Sequence, residues 1–171
     1  MKLLAAIGLI GLITISARAE LTSHPVTGYT VTQSVTVPGS AEQTYDALTG
    51  EISGWWDHHF SEKPKSLRIE AWPGGKFVEE FDDQGNGALH ATVILAQRPK
   101  LLRMDGPLGL TGRALDCVTT YELTSLGDST TVKVTVQLDG QIDSEWANAV
   151  DGVWHHFLVE AFKPFVEKQS K

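Results

Sequence analysis

Six histidines and one cysteine hold most of the reactive chemistry open to this 171-residue chain. Imidazole exchanges protons near neutral pH and binds divalent metals, so the histidine spacing is the first thing to read. Two of them stand in Asp57-His58-His59, with Glu62 close behind. All four are metal-capable, but adjacent side chains diverge, and no HExxH or paired CxxC spacing accompanies them. They read as solvated loop-edge groups, and no metal or other cofactor is expected. His156 and Glu160 stand four apart, a spacing that joins side chains on one helix face. Such a pair can hold one ring nitrogen and offer the other as a base, or it is simply an exposed helix pair.

His90 lies in Ala88–Gln97, where Leu89, Ala91, Val93 and Leu95 alternate with His90, Thr92 and Ile94. A sheet buries its more apolar face, which puts His90 on the outside; a one-residue bulge would reverse the assignment. Cys117, within the strand-like run Leu115–Leu123, reads as a small buried hydrophobe rather than a nucleophile. No GxSxG, phosphate loop or EF-hand spacing is present, so no catalytic residue is assigned.

The elements that must position these groups follow from composition and pattern. The chain is 42% hydrophobic and 20% charged, an ordinary globular balance, and its net charge of −7 without a basic block argues against nucleic acid as a partner. Met1-Lys2, the apolar run Leu3–Ile15 and Ala17-Arg18-Ala19 have the layout of a secretory signal peptide cut before Glu20. The run is too short to span a bilayer as a helix, which needs about 20 apolar residues, so no stable membrane insertion is expected after cleavage. Residues 1–19 are thus read as signal and 20–171 as a single domain, periplasmic or secreted. Cleavage removes Lys2 and Arg18 and no acid, moving the charge from −7 to −9.

Tyr29–Val37 alternates β-branched residues and reads as a strand. Ser40 and Gln43 then form a capping box for a helix over Ala41–Leu48, with a second short helix expected around Trp55-Trp56. Six further strands separated by turn chemistry read as an antiparallel meander. A long helix from Asp143 or Ser144 to about Lys168 closes the chain, bent at its end by Pro164. At 100° per residue, Trp146, Val150, Val153, Trp154, Phe157, Ala161 and Phe165 share one face, with His155 opposite. The fold class is α+β: a strongly curved antiparallel sheet of about seven strands wrapped around a long C-terminal helix, with two short helices after the first strand.

That order of elements, together with Ala41-Glu-Gln-Thr-Tyr-Asp-Ala-Leu48, Trp55-Trp56, Pro73-Gly-Gly-Lys-Phe77, Pro99-Lys-Leu-Leu-Arg-Met104 and Trp154-His-His-Phe-Leu-Val-Glu-Ala-Phe162, resembles the helix-grip superfamily. Its members include START lipid-transfer domains, Bet v 1-type allergens and polyketide cyclases. More narrowly, the chain resembles bacterial proteins named after the C-terminal domain of the activator of Hsp90 ATPase. The resemblance spans about Thr30 to Glu167 and implies a cavity between sheet and helix for a small apolar or amphipathic ligand. Trp55, Trp56, Phe77, Phe81, Tyr121, Trp154 and Phe157 are the expected lining. The alternative is a cavity enzyme of cyclase or hydrolase type with a histidine as acid/base. Hsp90 is not expected as a partner, because a secretory leader removes the chain from Hsp90 and ATP.

The leader makes one measurable expectation: N-terminal sequencing of the exported protein begins at Glu20. Soluble protein that retains Met1 would contradict it.

Overall fold

Alternation of β-branched and polar residues sets the architecture. In the computed structural model, which describes residues 21–170, β1 (Thr27–Pro38) turns Val31, Val35 and Val37 inward. β8 (Ser129–Gly140) does the same with Val132, Val134, Val136 and Leu138, and β7 (Leu115–Leu126) with Cys117, Tyr121 and Leu123. Between them in sequence lie α1 (Ala41–Leu48), β2 (Gly50–Glu51), β3 (Ser66–Ile69), β4 (Lys76–Glu80), β5 (Gly87–Gln97) and β6 (Leu101–Asp105). The strands form one antiparallel sheet in the order β1-β8-β7-β6-β5-β4-β3-β2. The signal segment read over residues 1–19 lies outside the described residues.

Eight strands replace the expected seven, and one helix replaces the expected pair. The Ser40–Gln43 capping box is present and starts α1. Thr49 then ends the helix in extended conformation and Gly50, at φ +70, turns the chain so that Gly50–Glu51 pairs with Ile69 and Arg68. The Trp55 and Trp56 amides both donate to the Ile52 carbonyl, at 3.1 and 2.9 Å. That is one turn, not a helix.

The closing helix lies on the buried face of the sheet as α2 (Ser144–His155), a π-helical stretch His156–Phe162, and α3 (Lys163–Gln169), with Asp143 as its N-cap. Pro164 has no N–H for the Glu160 carbonyl and its ring crowds that group, and the widened turns immediately upstream accommodate it. Widening shifts the phase. Trp154 and Phe157 are buried as the 100° stripe requires, but further along Leu158, Phe162 and Val166 are the core residues, while Ala161 and Phe165 are only half-buried. Trp146, at the other end of the stripe, is partly exposed.

Trp154→Ala and Phe162→Ala are each expected to cost about 3–5 kcal/mol as large-to-small core changes. Exposed His155→Ala should cost under about 0.5 kcal/mol. Urea denaturation reads this, and a loss at Phe165 equal to that at Phe162 would mean the helix keeps its α phase.

Candidate functional site

Sheet and helix do not meet everywhere. Between α2, β7 and β8, the loop 57–60 and the loop after β6 lies a cavity of about 340 Å³. Trp56, Trp154 and Phe157 form its aromatic wall, and Val136, Leu138, Val150 and Val153 extend it along β8 and α2. Trp56 stacks on Phe157 at 3.9 Å between ring centroids and meets Trp154 edge-on at 5.9 Å. Its indole N–H donates to the His58 carbonyl at 2.7 Å, which leaves the ring face free for the wall.

The other expected lining residues sit differently. Trp55 is buried but turns toward Phe162, its indole donating to the Ala47 carbonyl at 3.0 Å. Tyr121 is fully buried behind Trp154, and Phe77 lies beneath His90, both outside the cavity wall. Phe81 is half-buried at the start of the β4–β5 turn, away from the cavity.

The largest departure from expectation is His90, which is 2% exposed and borders the cavity. Phe77 pairs with Ala91 and Val78 with Leu89, so β5 carries an extra residue at His90. This bulge sends both His90 and Ala91 inward and leaves Leu89 half exposed. The strand therefore changes face in its middle, which strict alternation cannot represent. Gly106 packs against the same bulge: a Cβ there would stand 2.6 Å from the His90 carbonyl.

Glu79, wholly buried on β4, is the partner that pattern reading missed. One oxygen accepts the Ser61 amide at 2.8 Å; the other accepts the Phe60 amide at 2.9 Å and faces His90 Nε2 at 3.1 Å. Burial alone would raise the carboxyl pKa, but the two amides and His90 outweigh it and hold the group below its ordinary value. Burial pushes the imidazole pKa down, with Glu79 offsetting part of the fall. At neutral pH this gives an ionised carboxylate beside a neutral ring. A carboxylate can only accept, so Nε2 carries the ring proton and donates it. Nδ1 keeps its lone pair and, among the described residues, has no hydrogen-bond partner. The ring stacks with Phe77 at 4.7 Å and Phe60 at 5.3 Å. Parity in the sequence carried a signal for Glu79: placing Phe77 and Phe81 inward puts the residue midway between them inward too.

Leu108 closes the region above His90. It is buried and takes φ +51, the one positive φ at a non-glycine among the described residues. Its loop, which carries Gly106, Gly109 and Gly112, forms a 3-10 turn (Leu108–Leu110) in the cavity wall. Arg113 at the loop's end stacks its guanidinium 3.8 Å over the Trp146 ring of α2. Cys117 also borders the cavity, and burial pushes its thiol up to about 11, so it serves as wall and not as nucleophile.

A second cluster stands at the rim. His58 and His59 do not converge, but His58 meets His156 from the closing helix. Asp57 bridges them, with Oδ1 2.8 Å from His58 Nδ1 and Oδ2 2.8 Å from His156 Nε2. The expected His156–Glu160 pair forms at 2.9 Å through Nδ1. Glu160 first and Asp57 second raise the His156 pKa.

Comparison with known proteins decides the family. The family model described as polyketide cyclase / dehydrase and lipid transport matches residues 29–169. The chain belongs to this family. Among solved structures in the same fold, a protein from Rhizobium leguminosarum superposes with a TM-score of 0.63 at 15% identity, covering 86% of this chain and 99% of that one. CalU16 from Micromonospora echinospora gives 0.55 at 15% identity over 85% and 88%. DynU16, a protein of the dynemicin biosynthetic locus, gives 0.55 at 18% identity over 81% and 47%. No curated protein sequence matches. At these identities the solved structures share the fold with this chain, and the chemistry must be argued from its own residues.

Glu79→Ala strands the His90 ring and two loop amides, and is expected to cost about 3–5 kcal/mol at pH 7. A depressed carboxyl pKa contributes stability that is present above the unfolded value and lost as pH falls through the folded one. The gap between wild type and variant should therefore narrow on the acid side of the carboxylate range. A gap that stays constant from pH 7 down to pH 3 in thermal melts would contradict the ionised assignment.

Proposed function

We propose that this protein is an exported carrier that holds a small apolar or amphipathic molecule in the cavity between sheet and closing helix. The observation that carries the reading is the cavity itself. Its wall is almost wholly hydrocarbon and aromatic, and its volume falls at the lower end of the roughly 300–1,000 Å³ of small-molecule pockets. A ligand of one or two rings fits that size. Burying a few hundred Å² at about 25 cal/mol per Å² is enough for micromolar binding. The family description, which joins lipid transport with cyclisation, supports the same ligand class. The signal-like layout of residues 1–19 supports a location in the periplasm or outside the cell.

The Glu79–His90 pair favours a second reading, a cyclase-type enzyme. A neutral imidazole oriented by a buried carboxylate, with the opposite nitrogen unprotonated, has the arrangement of a general base. In that reading His90 Nδ1 takes a proton from the bound molecule, and Glu79 stabilises the imidazolium that results.

Titration with an apolar fluorescent probe should shift tryptophan emission through Trp56 and Trp154, and solvent extraction of fresh protein should release an apolar molecule. A native protein that binds no probe and releases nothing would overturn the carrier reading. Probe binding accompanied by turnover that His90→Ala abolishes would move the assignment to the enzyme.

A further inference from the structure

The rim cluster is used by neither reading above, and its geometry is that of a ligand set. Asp57, His58 and His156 each bring one donor atom to within 4.8 Å of the others. Two hydrogen bonds of 2.8 Å now run from the imidazoles to the two oxygens of Asp57. A divalent ion can take the place of those bridging protons. In a tetrahedral zinc site with bonds near 2.0–2.1 Å the donors stand about 3.3 Å apart. The side chains need to close by no more than about 1.5 Å, and two of the three lie on one loop.

His156 is further prepared for this. Its Nδ1 is held by Glu160 at 2.9 Å, which turns Nε2 toward Asp57. A carboxylate on the far nitrogen of a ligating imidazole fixes the ring and strengthens it as a ligand. The four residues come from two distant parts of the chain, the 57–58 loop and the closing helix, so the ion would tie one to the other. Both imidazoles and both carboxylates are solvent-accessible, leaving a path for the ion. The net charge of −7 favours a dication at the surface.

We propose that Asp57, His58 and His156 form a zinc-class divalent metal site at the cavity rim, with Glu160 as its orienting partner. Three protein donors leave at least one coordination position open, the pattern of zinc sites that accept an outside ligand. His58 also borders the cavity and meets Phe157 edge-on at 4.9 Å, so the open position stands next to the cavity mouth. The proposal is independent of the carrier reading: a metal site can exist whether or not the cavity is filled.

The test is calorimetric titration of zinc chloride into the chelator-stripped full protein, repeated with cobalt(II) for its visible absorption. One ion per chain should bind, with a cobalt spectrum of tetrahedral or five-coordinate type. His58→Ala and His156→Ala should each weaken zinc at least about 10-fold, and Glu160→Gln, which leaves all three ligands in place, about 10-fold. Exposed His155→Ala serves as the control and should leave affinity unchanged. All these side chains are at the surface, so circular dichroism should confirm that each variant keeps the fold. No zinc binding below millimolar concentration, or binding that His58→Ala and His156→Ala leave intact, overturns the proposal.

Discussion

The buried carboxylate of Glu79 is the interaction on which the rest of the site depends. An ionised group at 0% exposure is tolerable only because its oxygens meet three donors, two of them backbone amides of Phe60 and Ser61. Those amides belong to a loop with no secondary structure of its own, so the carboxylate fixes the loop to the sheet. The loop in turn sets Phe60 against the His90 ring and places His58 at the cavity rim. The Trp56 indole, bonded to the His58 carbonyl, inherits its position from the same anchor. Loop, imidazole and aromatic wall are thus one assembly around a single charge.

Much of the frame was legible in the sequence because it rests on periodicity. The seven long strands, the capping box at Ser40 and the extent of the closing helix all follow from residue spacing. What escaped were the places where period fails. The β5 bulge inverts the strand at His90, and the π turns before Pro164 rotate the far end of the helix by a fraction of a turn. Both are changes of backbone spacing: no residue type marks the bulge, and Pro164 announces a bend without fixing the phase of the turns before it. The metal-capable set escaped for another reason: His58 finds its partner on His156, almost a hundred positions away, while the sequence shows only its neighbour His59.

The fold is shared with structures of 15–18% identity, which is what a fold held by sheet pairing and an apolar stripe permits. The residues that give this chain its own character lie off that frame. Glu79 and His90 occupy buried strand positions, and an apolar residue at 79 would leave the Phe60 and Ser61 amides without their acceptor. His90 borders a cavity lined mostly by hydrocarbon, and Glu79 stands behind it as the anchor of the loop.

The sheet order also governs how the chain is assembled in time. From β3 to β8 each strand follows its sheet neighbour after a short connection, so each can pair as soon as the next strand is made. β1 is different: its partner is β8, and Thr27 meets Gly140 across most of the polypeptide. A contact of such long span closes late and slows folding. While a ribosome is still producing the middle of the protein, the first strand has nothing to pair with. The edge that it will cover belongs to β8 and does not exist until that strand has been made. The chain therefore reaches its closed form only when synthesis is nearly complete.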